Sequence, residues 1–125
     1  MMVKIFLSSV QSNIGNGMEN CLHLRDSNNQ VGINDLRTEV PSGSKVCWVL
    51  EKESGIKSIT RIWVTENKPH GKVFKNEPKK TTITRVFQGD SVDSDIELED
   101  KYYIKYIIDN GTEMIIDPFI RIIPH

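Results

Sequence analysis

The segment that decides the fold is the C-terminal stretch Lys101–Pro124, KYYIKYIIDNGTEMIIDPFIRIIP. Apolar and aromatic residues alternate with other residues in its first part, which is typical of a β-strand. Asn110-Gly111 follows and is a strong signal for a two-residue type I′ hairpin turn, because both central positions of that turn need positive φ. The sequence therefore predicts a hairpin of Tyr102–Ile108 and Thr112–Ile116, followed by a last strand at Phe119–Ile123.

A two-residue turn also sets which residues share a face of this hairpin, because side chains alternate between the two sides of a sheet. It places Ile108 opposite Glu113 and Ile107 opposite Met114. The first predicted face comprises Tyr102, Ile104, Tyr106 and Ile115, and the second comprises Tyr103, Ile107, Met114 and Ile116. If the first face fills the core, the second needs cover. We expect either a partner, with a homodimer as the main hypothesis, or the loop Gln11–Glu19 to provide it.

The rest of the chain reads as short strands separated by turn residues. The predicted strands are Val3–Val10, Asn20–Arg25, Val31–Ile33, Leu36–Val40, Lys45–Leu50, an edge strand at Lys72–Lys75, and Thr81–Phe87. Ile56–Val64 fits helical spacing as well as a strand, and its β-branched content favours the strand. Eight to ten short strands without a clear helix predict an all-β protein, namely an antiparallel Greek-key β-sandwich.

Length and composition limit the class of protein. The chain has 125 residues, so we expect one domain over residues 1–125. A net charge of −1 argues against general binding to nucleic acid or to a membrane surface. The apolar run at Val3–Leu7 is interrupted by Lys4 and is too short for a secretory signal, so the expected location is the cytoplasm. Cys21 and Cys47 are then expected to be reduced thiols, whereas an exported protein could bridge them.

Charge is distributed unevenly along the chain. Residues 45–85 carry ten Lys and Arg against four Glu, and residues 86–125 carry nine Asp and Glu against three Lys and Arg. The two halves could interleave in space, in which case the polarity would largely cancel. The alternative is a bipolar surface suited to head-to-tail association. Charge spacing alone leaves both open.

Two patterns bear on the type of sandwich. Trp48 follows a turn at Pro41–Gly43 and lies on a strand that would direct it into a core, and Leu98–Ile104 resembles a tyrosine corner. Together they resemble the cupredoxin-like or immunoglobulin-like sandwich. Cupredoxins bind copper through two His, a Cys and usually a Met, clustered near the last hairpin. Here that hairpin carries Tyr, Lys and Ile, so we expect no metal, no cofactor and no copper electron transfer.

A second resemblance lies in the closing pattern that runs from Gly111 through Asp117-Pro118-Phe119 to Ile122, together with the Gly-x-x-Val-x-Trp spacing at Gly43 and Trp48. These residues resemble the bacterial inclusion-body family of the AidA and PixA type. That family comprises small β-sandwich proteins without known catalytic activity. The resemblance implies a structural or stress-related role.

Two charged segments could bind ions or partners. The basic segment Lys68–Arg85 could form an anion-binding patch, comprising Lys72, Lys75, Lys79, Lys80 and Arg85. Its one aromatic residue, Phe74, is too little for the stacking that oligonucleotide-binding sheets use. The acidic residues 90–100 could suggest calcium. They lack the order of an EF-hand, and alternation predicts that Asp93, Asp95, Glu97 and Glu99 form the solvated face of an edge strand.

Signals for catalysis are weak. Gly89-Asp90-Ser91 resembles the nucleophile segment of a hydrolase, but no His follows it before His125. Cys21 and His23 share a strand face but lack a recognisable third group to orient them. We therefore expect no catalytic residues and a non-enzymatic binding or assembly module. One alternative is a small-ligand or carbohydrate-binding sandwich with Trp63 or Tyr103 as the stacking platform. A second is a hydrolase with an unrecognised site, for which Ser91 and His23 are the residues to substitute first.

Overall fold

The structure, a computed structural model, describes residues 2–10, 21–28, 30–32, 36–51, 55–83 and 85–124, with backbone only at 8–10, 21–23 and 32. Within these ranges the chain forms twelve β-strands and no helix. In chain order they are β1 (Met2–Val10), β2 (Cys21–Asp26), β3 (Val31–Gly32), β4 (Arg37–Pro41), β5 (Lys45–Leu50), β6 (Ile56–Trp63), β7 (Lys79–Lys80), β8 (Val86–Asp90), β9 (Leu98–Lys101), β10 (Tyr103–Ile108), β11 (Glu113–Ile116) and β12 (Phe119–Ile123). The predicted all-β class is confirmed.

The strands form one large sheet and two small ones. The large sheet has the order β3-β2-β1-β5-β8-β7, and the small sheets have the orders β11-β10-β6 and β4-β12-β9. Most neighbours are antiparallel, which agrees with the prediction, but β1 pairs with β5 and β12 pairs with β4 in parallel. This arrangement is consistent with a β-sandwich. No helix in the described residues is long and apolar enough to cross a membrane.

The C-terminal segment is a single long hairpin that links the two small sheets. Ile104 lies opposite Ile116 in one small sheet, and Lys101 lies opposite Phe119 in the other. Between them the backbone N–H of Tyr102 donates to the carbonyl of Pro118 (3.0 Å), so the same register continues across the junction. Pro118 has no backbone N–H to donate to the neighbouring strand, which explains why β11 and β12 are interrupted at this position. The two small sheets therefore continue into each other as one layer, and its buried residues share one hydrophobic core with those of the large sheet.

The predicted register of this hairpin is wrong by one residue. Ile107 lies opposite Glu113, not Met114, and Tyr106 takes Met114 as its partner. Gly111 alone in this turn has positive φ (91°), and its N–H donates to the carbonyl of Ile108 (2.8 Å). These features are typical of a three-residue loop with glycine in the left-handed position, and not of a two-residue type I′ turn. The extra loop residue exchanges the two faces of the returning strand.

The core contains an aromatic cluster that connects the two layers. Trp48, on β5 of the large sheet, is fully buried as predicted, and its indole Nε1–H donates to the Tyr102 hydroxyl (3.0 Å). Phe74 meets both rings edge-on, with ring centroids 5.7 Å from Trp48 and 6.5 Å from Tyr102. The predicted tyrosine corner requires the hydroxyl to bond to upstream backbone, whereas here its partner is a core tryptophan. Burial raises the pKa of Tyr102 well above its usual range.

A buried carboxylate supports the neighbouring turn. Asp26 is buried at the end of β2, and its Oδ1 accepts hydrogen bonds from the backbone N–H groups of Asn28 (2.9 Å) and Gln30 (3.0 Å). Its Oδ2 accepts one from the hydroxyl of Thr38 on β4 (3.0 Å). Because a buried charge is costly unless its hydrogen bonds are satisfied, these three donors account for the position of Asp26. The side chain connects the large sheet to the second layer.

The strand favoured over Ile56–Val64 is confirmed as β6, which ends at Trp63. Three other predicted segments in the middle of the chain differ. Lys72–Lys75 is a turn with one isolated bridge, between Phe74 and Ser91. The strand predicted over Thr81–Phe87 is wrong, because the chain reverses there between β7 and β8. The acidic segment is also not one strand, since only its end forms β9. The Gln11–Glu19 loop lies outside the described residues.

Candidate binding groove

A groove opens where the edges of the two layers meet. One wall is β6, the end strand of a small sheet, and the other is β8 with its short neighbour β7, at the end of the large sheet. The groove has a volume of about 250 Å³. We call it the cationic groove, and its lining residues are Leu50, Lys57, Ser58, Ile59, Lys80, Arg85, Val86 and Phe87.

The floor of the groove is apolar because it is the edge of the core. Leu50, Ile59 and Phe87 are buried members of the hydrophobic core. Phe87 pairs with Trp48 on one side and with Lys80 on the other, so a core residue and a cation are direct neighbours in the sheet. A ligand in this groove would contact both apolar surface and charge.

The rim carries three cations that have no carboxylate partner in the described residues. Lys57, Lys80 and Arg85 are exposed, and none forms a salt bridge within that part of the chain. No acidic residue is among those that line the groove. Arg61 on the same strand differs, because it binds Glu66 (3.0 Å) and Glu77 (3.1 Å). These two carboxylates raise the pKa of its guanidinium further.

Arg85 is held by an uncommon backbone conformation. Its φ is 77°, the one positive value at a non-glycine residue in the described chain. Such a conformation costs about 1–3 kcal/mol and persists where the surroundings impose it. Here the Arg85 carbonyl accepts from the N–H of Leu50 (2.9 Å), and the Val86 N–H donates to the carbonyl of Ile83 (3.2 Å). These bonds fix the start of β8 and place Arg85 at the end of the groove.

The structure divides the five cations of the predicted anion patch. Lys80 and Arg85 line the cationic groove, whereas Lys79 lines an adjoining depression together with Glu77. Lys72 approaches Asp100 instead (4.0 Å between Nζ and Oδ1), and Lys75 is exposed outside the groove.

Sequence reasoning missed Lys57 as a member of this site. It lies far from Lys80 in the chain, and only the meeting of the two layers brings them to one groove. Neither residue belongs to a recognisable local motif that could have joined them.

The predicted partner surface does not form as one face. Tyr103 and Ile107 are half-buried on the outer side of β10, while Ile116 is buried in the core and Met114 packs against it. Trp63 is 9% exposed and stacks on Tyr103 with ring centroids 5.3 Å apart. The Arg61 guanidinium lies 4.6 Å from the Trp63 ring centroid. These contacts cover Trp63, and carbohydrate binding at Trp63 and Tyr103 stays a prediction.

The acidic residues have mostly structural partners. Asp100 Oδ2 accepts hydrogen bonds from the backbone N–H groups of Lys72 (2.7 Å) and Val73 (3.1 Å). Glu99 binds Arg37 (3.1 Å), and Glu97 binds Arg121. Within the described ranges, no three His, Cys, Asp or Glu side chains come together in a way that could hold a metal ion.

The residues considered for catalysis have other surroundings or lie outside the description. Ser91 is buried, and its hydroxyl donates to the Ser44 carbonyl (2.9 Å) while accepting from the Ser44 N–H (2.8 Å). Cys47 is a buried free thiol, and burial raises its pKa. The side chains of Cys21 and His23, and the whole of His125, lie outside the described residues.

No family model matches the chain, and a search of curated proteins finds no significant match. The cationic groove is therefore interpreted from its own chemistry.

Proposed function

We propose that this protein is a non-enzymatic binding module and that the cationic groove is its binding site. The observation that supports this most directly is the combination of Lys57, Lys80 and Arg85 with the apolar floor at Ile59 and Phe87. Such a site suits a ligand that carries an anionic group beside an apolar part. The apolar part would cover the floor, and the anion would pair with the rim.

Electrostatics support an anion in preference to a neutral ligand. A cleft lined by charge of one sign beside apolar walls concentrates counter-ions and speeds their association. Cations at the rim that have no carboxylate partner in the described chain can bind a ligand without first breaking an internal salt bridge. Arginine adds geometric selectivity, since its planar guanidinium can bind a carboxylate or phosphate through two parallel hydrogen bonds.

The resemblances to known families are also part of this proposal. A sandwich of cupredoxin-like or immunoglobulin-like type without copper ligands is a common scaffold for binding, and fold alone does not define the ligand. The resemblance to the bacterial inclusion-body family would add a structural or stress-related role. Both remain proposals, as does the absence of catalysis.

The proposal can be tested with a dye that has the expected chemistry. The dye 1-anilinonaphthalene-8-sulfonate combines an aromatic body with one sulfonate and fluoresces when its apolar part leaves water. We expect saturable binding to the folded protein. The double variant Lys80→Gln, Arg85→Gln should bind at least about 10-fold more weakly, because two charged contacts of the rim are lost.

A matched control is the double variant Lys68→Gln, Lys75→Gln, which removes the same charge from exposed positions outside the groove. It should bind the dye as the wild type does. Circular dichroism of all three proteins checks that each is folded, since partly unfolded proteins also bind this dye. Equal binding by the groove variant and the wild type, or no saturable binding by either, would contradict the proposal.

A further inference from the structure

An acidic projection lies at the opposite end of β8 from the cationic groove. Ile96 is 65% exposed, and Asp95 and Glu97 flank it in the chain. Asp93, two residues before Asp95, is also exposed. We call residues 93–97 the acidic tip. It presents one apolar side chain among carboxylates, and the groove presents an apolar floor among cations.

The acidic tip is held in place by its own hydrogen bonds. The N–H of Ser94 donates to the Ser42 hydroxyl (2.7 Å), which attaches the segment to the turn after β4. The Ser94 hydroxyl accepts from the N–H of Ile96 (3.1 Å) and donates to its carbonyl (2.7 Å). Because the loop is already ordered, burying Ile96 against another surface would cost less conformational entropy than ordering a free chain.

Strand pairing shows how the two charged features are separated. Val86 lines the groove at the start of β8, and Asp90 ends the strand opposite Lys45. Four residue steps along a strand span about 13 Å, and the acidic tip follows Asp90 and Ser91. One molecule therefore carries opposite charges at the two ends of this strand.

The carboxylates of the tip differ in their availability. Glu97 already binds Arg121. Asp93 and Asp95 form no salt bridge in the described part of the chain, as is also true of the rim cations. These two aspartates are the acidic groups best placed to bind a partner.

We infer that the occupant of the cationic groove is the acidic tip of a second copy of this chain. Ile96 of one copy would contact the floor at Ile59 and Phe87, and its aspartates would pair with Lys80 and Arg85. This inference rests on the proposed function, because it identifies the ligand of the same groove. The contact joins different surfaces of the two copies, so each copy keeps a free groove or a free tip, and the assembly extends to a ring or a filament.

Charge-reversal variants test whether the acidic tip binds the cationic groove. The groove variant Lys80→Glu, Arg85→Glu has an acidic groove and an acidic tip, and the tip variant Asp93→Lys, Asp95→Lys has a basic groove and a basic tip. Each should be monomeric alone, because its two surfaces repel. Mixed in equal amounts they should associate again, because opposite charges then meet in both pairings.

Sedimentation velocity of the full chain gives the readout. The wild type should form oligomers at high protein concentration in about 50 mM salt and dissociate in about 500 mM salt, where charges are screened within a few ångströms. Ile96→Ser should raise the dissociation constant at least 10-fold. The control Asp109→Lys changes an exposed acid at the last hairpin turn and should assemble as the wild type does.

The outcomes separate this inference from the proposed function. A monomeric wild type under all these conditions overturns the inference, as do variants that still assemble alone or a mixture that stays monomeric. Dye binding in the groove would then still stand as a result of its own. A wild type that neither assembles nor binds the dye would overturn the proposed function as well.

Discussion

Two adjacent isoleucines on β11 provide a direct test of the hairpin register. Ile116 is 8% exposed and lies opposite Ile104, whereas Ile115 is 53% exposed and lies opposite Lys105 on the outer side. A two-residue turn would exchange their positions, because a slip of one residue moves every side chain to the other face. Truncating each to alanine therefore distinguishes the two registers.

The expected magnitudes follow from burial. Replacing a buried isoleucine by alanine costs about 2–5 kcal/mol, which includes the lost transfer free energy and the cavity left behind. β11 is the last strand of its sheet and can relax outward, so we expect about 2–3 kcal/mol for Ile116→Ala. Ile115→Ala removes atoms that are half in water, and we expect a loss below about 1 kcal/mol, part of it from lower β-propensity.

Urea unfolding measures the difference. Tryptophan fluorescence is a suitable probe because Trp48 is fully buried, and far-ultraviolet circular dichroism should give the same transition. Lysine substitutions sharpen the contrast, since Ile115→Lys should fold and Ile116→Lys should lose most of the stability. The assigned register is refuted if Ile115→Ala destabilises the protein as much as Ile116→Ala, or more.

Two further predictions concern the core and a tight turn. Tyr102→Phe leaves the buried indole N–H of Trp48 without its acceptor and should cost about 1–3 kcal/mol at pH 7. Burial raises the pKa of Tyr102, so the unfolded chain loses a proton that the folded chain keeps. The contribution of Tyr102 to the free energy of unfolding is therefore fully present below pH 10 and declines above it by about 1.4 kcal/mol per pH unit. Urea unfolding at alkaline pH should show this slope for the wild type and not for Tyr102→Phe. Gly71→Ala should destabilise strongly in thermal unfolding, because a Cβ there would lie 2.5 Å from Asp100 Oδ2 at a φ of 59°. Gly111→Ala has open space and should cost only about 1 kcal/mol for its positive φ, so equal losses at the two glycines would contradict this packing.

Several parts of the fold follow from local patterns. The pattern of Lys45–Leu50 predicts a strand with Trp48 in the core, and the structure confirms both. The position of the last hairpin along the chain is also confirmed, because alternation and an Asn-Gly turn are properties of neighbouring residues. The local pattern is misleading at Thr81–Phe87, where alternating residue types predict a strand that the structure does not contain. There the positive φ at Arg85 and the hydrogen bonds around it start a new strand at Val86.

Other features depend on pairing between distant residues. The parallel contact of β1 with β5 brings together segments separated by residues 11–44, and no local signal specifies it. The hairpin register depends on whether two or three residues close the loop, and the same Asn-Gly dipeptide suits both lengths. That single residue decides whether Ile116 or Ile115 enters the core.

The sequence alone determined that this protein is all-β, which segments supply its core, and that cations and carboxylates concentrate in different parts of the chain. These properties follow from composition and from a two-residue period, and each can be read within a short window. Only the tertiary structure decided which charges meet. Lys57 and Arg85 line one groove because two layers close against each other, and the acidic tip lies at the far end of β8 because the chain runs along that strand between them. A binding surface depends on distances between residues remote in sequence, and those distances exist only after the layers have packed.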